Sequence, residues 1–260
     1  MPEGDTLFRT AQGLRPYLVG RDILAARAQG PGPVPQVQRI VGKRVDAVEA
    51  QGKNLLIRFD GGLEIRTHLR MNGSWHRYRP GERWRRPPGR ARLVLEVDGT
   101  VAVCFDAPVV ELFETRTEPL HPSLSHLGPD LLKPEFDAAE AHRRLRAPER
   151  AEMSISAALL DQRALAGIGN IWRNETLFAE RVDPWAPVRE LDDATLDRLI
   201  ATARRLLTQS AGVAPGRTST KVYRRAGRPC PRCGTVIRSA PLSGEVPRTT
   251  YWCRSCQGGS

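Results

Sequence analysis

Two groups of residues could do chemistry. At the start of the chain, Met1-Pro2-Glu3 places proline second. A residue that small permits removal of Met1, which would leave a secondary amine at the terminus. An α-amino group titrates near pKa ~7.7–8.0, so a useful fraction of it is an unprotonated nucleophile near neutral pH. Attack on an aldehyde or hemiacetal carbon gives an iminium cation, an effective electron sink. Glu3 offers a carboxyl for acid–base work beside it. Taken alone, these residues fit an ordinary Met-Pro-Glu start better than a catalytic one. Near the other end, Cys230-x2-Cys233 and Cys253-x2-Cys256 form two knuckles separated by 19 residues. Four thiolates at this spacing match tetrahedral zinc, with a pair of disulfides as the alternative. No histidine accompanies them and no ligand position stays open, so the metal would be structural.

These groups need elements to position them. Leu7, Phe8, Ala11, Leu14 and Leu18 recur at helical spacing and predict a helix over 5–19, with Asp5 as its N-cap and Gly20 as its stop. Such a helix pins the amino end of the chain against a packed domain. Residues 21–114 read as β structure. Asn54–Phe59, Leu63–Leu69, Leu93–Val97 and Val101–Phe105 are short strands separated by turns such as Asp60-Gly61-Gly62 and Asp98-Gly99. Strands at this spacing predict an antiparallel sandwich. Cys104 falls inside one of them and reads as a buried bystander. Loop 29–38 is rich in Pro and Gly. Loop 79–92 is basic, with one tryptophan, and reads as either solvated or facing phosphate.

From about residue 122 the periodicity turns helical, over Asp137–Leu145, Ile155–Gln162, Ile171–Glu180 and Asp192–Ser210. Gly167-Ile168-Gly169-Asn170 lies between the second and third of these. A lone GxG is usually a turn; between two amphipathic helices it predicts a helix–turn–helix whose second helix aims backbone amides outward, a ready phosphate site. Residues 211–229 read as a basic connector. Thr235–Arg238 and Arg248–Trp252 read as the two strands of a hairpin between the knuckles.

The 260 residues carry 40 Lys plus Arg against 29 Asp plus Glu, a formal net charge of +11. A biased genome explains why arginine outnumbers lysine, but not the net charge, which points to a polyanionic partner. The 40% hydrophobic content supports packed cores. No run of 18 apolar residues is present, so a transmembrane helix is not expected. The acidic start is unlike a signal peptide. Five cysteines, an odd number with four clustered between 230 and 256, do not form a secreted disulfide framework, and a reducing cytoplasm is the expected compartment.

Four motifs occur in one order: Met-Pro-Glu-Gly-Asp-Thr at the start, Gln51-Gly52-Lys53 before a strand, the Asp161–Asn170 turn, and Arg248-Thr249-Thr250-Tyr251-Trp252-Cys253-x2-Cys256-Gln257. Together they resemble the formamidopyrimidine-DNA glycosylase/endonuclease VIII family over essentially the full length, and the opening Glu-Gly-Asp-Thr is similar to the endonuclease VIII branch. The resemblance implies an α+β multidomain protein. It would comprise an N-terminal helix and antiparallel β-sandwich over 1–118, a helical domain with a helix-2-turn-helix over 122–218, and a four-cysteine zinc finger β-hairpin over 222–260. It implies a monomer that binds damaged double-stranded DNA, carries one structural Zn2+ on Cys230, Cys233, Cys253 and Cys256, and acts as a glycosylase and abasic-site lyase on oxidised bases, pyrimidines first.

By the same resemblance Pro2 is the nucleophile at C1′ and Glu3 its acid–base partner. Lys53 contacts the lesion phosphate, and Arg248 clamps a phosphate and assists the second elimination. Asn170, Tyr223 and Arg224 hold the DNA backbone. Met71 is the wedge that fills the vacated stack; Arg70, which flanks it and whose role the resemblance does not carry over, is read as a DNA contact. Two alternatives remain: a binder of damaged DNA that keeps the scaffold without the chemistry, and a zinc-ribbon adaptor. His126 stands where relatives often have arginine and is given no role.

Overall fold

The computed structural model describes residues 2–214, 219–242 and 248–258. The leading helix, α1 (Gly4–Leu18), begins one residue earlier than the sequence predicts. Glu3 is its N-cap, through its backbone carbonyl, which accepts from Thr6 and Leu7. Asp5 lies inside the first turn and pairs with Arg9 at 3.2 Å. The helix ends where Gly20 takes φ 79° and donates to the Val45 carbonyl.

Two four-stranded antiparallel sheets follow. One has the order β1–β6–β7–β5, from β1 (Ala25–Ala28), β5 (Ser74–Tyr78), β6 (Ala91–Val97) and β7 (Thr100–Phe105). The other has the order β2–β3–β4–β8, from β2 (Val45–Gln51), β3 (Asn54–Phe59), β4 (Leu63–His68) and β8 (Val109–Glu114). Leu7, Ala11, Leu14 and Leu18 of α1 share one buried core with Val48, Leu55, Ile57 and Ile65 of the second sheet and Leu93, Leu95 and Cys104 of the first. Cys104 is fully buried there, and burial pushes its thiol well above the usual range.

Strand alternation sends the neighbouring residues to the opposite face of the second sheet. There Arg58 bonds Glu49 at 2.7 Å, Glu64 at 3.1 Å and Glu118 at 2.9 Å. Arg66 bonds Asn54 at 2.9 Å and Glu111 at 2.6 Å. On the first sheet, loop 79–92 is not simply solvated. Trp84 stacks on Tyr78 at 6.1 Å and meets Phe105 edge-on at 5.7 Å, closing a small second core.

The chain folds as two units, residues 1–125 and 126–260. In the second unit α2 (Ala138–Leu145) and α5 (Asp193–Ala211) are capped by Asp137 and Asp192, which accept from the Glu140 and Thr195 amides. α3 is only Ile155–Ala158, shorter than the predicted Ile155–Gln162. The Gln162 side chain explains the loss. Its amide donates to the Leu160 and Ile168 carbonyls and its oxygen accepts from Gly167, so it fastens the turn in place of helical bonds. α4 (Asn170–Ala179) follows, and α6 (Arg254–Gln257) ends the described chain after the hairpin of β9 (Arg238–Leu242) and β10 (Arg248–Trp252). β9 lies beyond the predicted Thr235–Arg238. Thr235 and Ile237 instead bond Cys230, Gly227 and Arg228 around the first knuckle, which leaves 238–242 to pair with β10.

Two stability tests follow from this packing. A Cβ on Gly128 would stand 2.6 Å from the Ala164 backbone, whereas one on Gly13 of α1 meets nothing within 4 Å. Gly128→Ala is expected to cost about 1–3 kcal/mol by overpacking and to lower Tm. Gly13→Ala is expected to gain about 0.5–1 kcal/mol. Thermal unfolding by circular dichroism measures both, and equal shifts would contradict the assignment. Burial pushes Glu64 up to about 7, opposed by Arg58 and reinforced by Glu118. Its folded-state pKa exceeds its unfolded one, so its contribution is complete below about 4.5 and is lost as pH rises through 7. Glu64→Gln should therefore raise Tm relative to wild type by a few degrees more at pH 8 than at pH 5. A pH-independent difference would refute this.

Candidate functional site

The candidate residues divide between the two units. In the first, Pro2 is half-buried and Glu3 is 1% exposed, both immediately before a helix whose apolar face is seated on the sandwich. The packing of α1 anchors them, together with the Glu3 carbonyl, which accepts the Thr6 and Leu7 amides. Against α1 lies the β2–β3 hairpin, where Gln51 pairs with Asn54 and leaves a two-residue turn, Gly52-Lys53. Gly52 takes φ 57°, which suits glycine at the first position of such a turn. The turn thus presents Lys53, half-buried, at the tip of a hairpin whose second strand, β3, is almost wholly buried.

Across the ladder from Asn54 stands His68, the last residue of β4. Sequence reasoning gave it no role, because a single histidine at a strand end carries no spacing signal. Burial lowers its pKa to about 4, helped by the charges of Arg66, Lys53 and Arg70. The ring is neutral at neutral pH, and Nδ1 accepts the Arg70 amide at 3.3 Å. His68 therefore links the lysine turn to the next loop, Arg70-Met71-Asn72. All three residues of that loop are exposed, Met71 at 54%. Arg70 has φ 44°, a conformation rarely adopted by residues with a Cβ. The Gly73 amide closes the turn onto the Leu69 carbonyl at 2.9 Å. A Cβ at Gly73 would stand 2.6 Å from that oxygen, so glycine is required there.

In the second unit α4 brings the remaining candidates together. Asn170 donates to the Thr249 carbonyl at 3.2 Å, beside Arg248 at the start of β10. Three positioning residues escaped the sequence reading. Arg173, fully buried, donates to Asn170 Oδ1 at 2.6 Å and to the Thr249 carbonyl at 3.1 Å. Asn174 donates to the Asn170 carbonyl and accepts the Tyr251 amide at 2.7 Å. Glu175 accepts the backbone amides of Lys221, Val222 and Tyr223 at 2.8, 3.0 and 2.9 Å. Bonds of this kind to a charged acceptor are worth about 1.5–3 kcal/mol each. The signal was there in the helical spacing of 170, 173 and 174, but polar residues at that spacing normally face water.

Glu175 fixes the segment that carries Tyr223 and Arg224. The Tyr223 ring meets Tyr251 edge-on at 5.4 Å, and the exposed Arg224 has φ 57° with its guanidinium 5.8 Å from the Tyr223 ring. His126 is exposed. The four sulfurs of Cys230, Cys233, Cys253 and Cys256 all lie within 4.8 Å of one another. Neighbouring sulfurs are 3.4–4.0 Å apart. Four thiolates at about 2.3 Å from a central ion would be about 3.8 Å apart, so the site fits a tetrahedral metal. The Arg232 amide points at Cys230 Sγ at 3.4 Å, and Gln257 ties the second knuckle to the Val182 carbonyl at 3.0 Å.

Comparison with known proteins agrees with this geometry. The formamidopyrimidine-DNA glycosylase N-terminal domain family matches residues 1–108 and the formamidopyrimidine-DNA glycosylase H2TH domain family matches residues 127–223. The chain is 41% identical to the probable endonuclease 8 2 of Streptomyces coelicolor, over all of this chain and 95% of that one. It is 38% identical to the DNA-(apurinic or apyrimidinic site) lyase Nei2 of Mycolicibacterium smegmatis over the whole of both. Among solved structures, the MutM (Fpg) protein of Thermus thermophilus superposes with a TM-score of 0.84 at 28% identity over the whole of both chains. The Lactococcus lactis Fpg, solved with abasic-site DNA, shares the fold at a TM-score of 0.85 and 21% identity, over 99% of this chain and all of that one. Two domain families in the right order, with relatives alike from end to end, establish that the chain belongs to the formamidopyrimidine-DNA glycosylase/endonuclease VIII family.

Proposed function

We propose that this protein is a DNA glycosylase and abasic-site lyase of base excision repair, acting on oxidised bases, pyrimidines first, in duplex DNA. The observation that carries the reading is the N-terminus. Pro2 and Glu3 lead a helix locked into the sandwich, and Lys53 is offered by the hairpin packed against it. The chain also matches, over its whole length, a relative named as an abasic-site lyase. A net charge of +11 suits a duplex partner, and such binding weakens steeply with salt.

The chemistry follows from these groups. The target nucleotide leaves the stack at a cost of a few kcal/mol, least for a damaged base. The Pro2 nitrogen attacks C1′ as the glycosidic bond breaks, and the base departs with the bonding pair and takes up a proton. Glu3 protonates the ring oxygen, so the sugar opens to an iminium. Loss of a C2′ proton into that electron sink expels the 3′ phosphate, and a second elimination expels the 5′ phosphate. Lys53 holds the phosphate beside the reacting sugar. Met71, with Arg70 beside it, fills the vacated stack. Asn170, Tyr223, Arg224 and Arg248 hold the DNA backbone. Zn2+ on the four cysteines would fix the hairpin that carries Arg248, and takes no part in the reaction.

Two experiments test this. Incubation with an abasic duplex and borohydride should trap a covalent adduct. Pro2→Gly, or protein retaining Met1, should lower its yield at least about 100-fold. Correctly processed protein that traps nothing would leave a non-catalytic binder of damaged DNA. Cys253→Ser should lose zinc, measured by atomic absorption, and weaken duplex binding at least about tenfold. Unchanged affinity in zinc-free protein would show that the hairpin is not a clamp.

A further inference from the structure

Loop 70–72 is exposed along its length, yet a wedge must hold its shape when it enters a base stack. The bonds from His68 and to Leu69 come from its own strand end. Another comes from the loop that connects β5 to β6. Arg86 Nη1 donates to the Asn72 carbonyl at 3.1 Å, and the same nitrogen donates to Asp106 Oδ2. Arg90 Nε donates to the other Asp106 oxygen at 2.7 Å, and the Asp106 amide donates to the Arg90 carbonyl at 3.0 Å. Against the opposing effect of burial, Arg90 and Arg86 hold the Asp106 carboxyl below its usual range.

Arg86 is itself held. Two residues earlier, Trp84 is set between Tyr78 and Phe105, and the Arg85 amide donates to the Tyr78 hydroxyl at 3.1 Å. Asp106 directly follows Phe105 and has φ 54°, while the loop it serves contains Arg70 at φ 44°. Such backbone persists only where the surroundings over-determine it. Here the surroundings are a small aromatic core, a guanidinium and a carboxylate, connected in series.

We propose that Arg86, oriented by Asp106, is a positioning residue that pre-organises the Arg70-Met71-Asn72 wedge before DNA arrives. The proposal rests on the reading of Met71 as the wedge. It also divides the charge of the basic loop. Arg86 and Arg90 are committed to Asp106, and Arg92 to the Ala107 and Gln29 carbonyls. In this account half of the arginines in loop 79–92 are structural, and Arg86 acts on DNA only through Met71. Ordering a loop in its bound form before binding removes an entropic cost from the bound state.

A double-mutant cycle and a spectrum test it. Borohydride trapping on an abasic duplex is measured for wild type, Arg86→Leu, Met71→Ala and the double variant. Arg86→Leu alone should slow trapping about tenfold, but no more than about twofold in the Met71→Ala background. Arg86→Lys, which can still reach one acceptor, should recover most of the loss. Independent losses that multiply would overturn the proposal. The chain has three methionines, at 1, 71 and 153. With 13C-methyl labelling of the free protein, Arg86→Leu should move the Met71 signal toward its random-coil position and leave Met153 unchanged. An unmoved Met71 signal would also overturn the proposal. Wild type that traps no DNA would sink the catalytic reading instead, and the methyl spectrum would then decide the clamp.

Discussion

A chain terminus can serve as a nucleophile only if it is held still, and the packing of α1 meets that constraint. Leu7, Ala11, Leu14 and Leu18 lie in the largest core of the first unit, shared with both sheets. Termini fray unless tied down. Here the tie is an entire amphipathic helix that starts two residues after Pro2. The sandwich is therefore more than a carrier. Its second sheet supports α1 on one side and turns Lys53 outward at the tip of the β2–β3 hairpin. The catalytic reading depends on that one contact surface.

In the second unit the organising element is α4, which is buried nearly all round although it carries Asn170, Arg173, Asn174 and Glu175. Burying so many polar groups is costly unless each is bonded. The acceptors and donors come from the chain that follows: the Thr249 carbonyl, the Tyr251 amide, and the amides of 221–223. The helix thus serves as a polar scaffold on which a hairpin and a loop with little apolar content of their own are assembled. Phe178, Val222, Ile237, Cys230, Cys253 and the partly buried Cys256 add a small apolar cluster beside it. That arrangement sets Tyr223, Arg224 and Arg248 on a single unit.

The arginine excess also acquires a structural meaning. Arg58 joins three carboxylates, Arg66 spans the second sheet, Arg150 grips Asp161, and Arg146 caps carbonyls at 188 and 191. Guanidinium suits these roles because its fork satisfies several acceptors at once and stays charged when buried. A large share of the positive residues are therefore internal fastenings. The field that attracts DNA is the surplus that remains after they have been used.

The sequence alone determined the candidate positions and the element types around them. Pro2, Glu3 and Lys53 drew their meaning only from the order in which they occur with the other motifs, whereas the two knuckles and Gly167-Ile168-Gly169-Asn170 were legible as local signals, a metal-ligand spacing and a glycine-rich turn before a helix. Helix periodicity placed α1, α2, α4 and α5 within a residue or two for the same reason. Tertiary structure decided what non-local bonds control. Gln162 shortened α3 by supplying the turn with side-chain bonds, and the first knuckle took Thr235–Ile237 and displaced β9 to Arg238–Leu242. His68, Glu175 and Arg86 drew no notice in the sequence, because a lone histidine, a mid-helix glutamate and one arginine in a basic loop have no periodicity. Their partners lie 2, 46–48 and 14–20 residues away, and for the last two only the folded chain brings donor and acceptor within hydrogen-bonding distance.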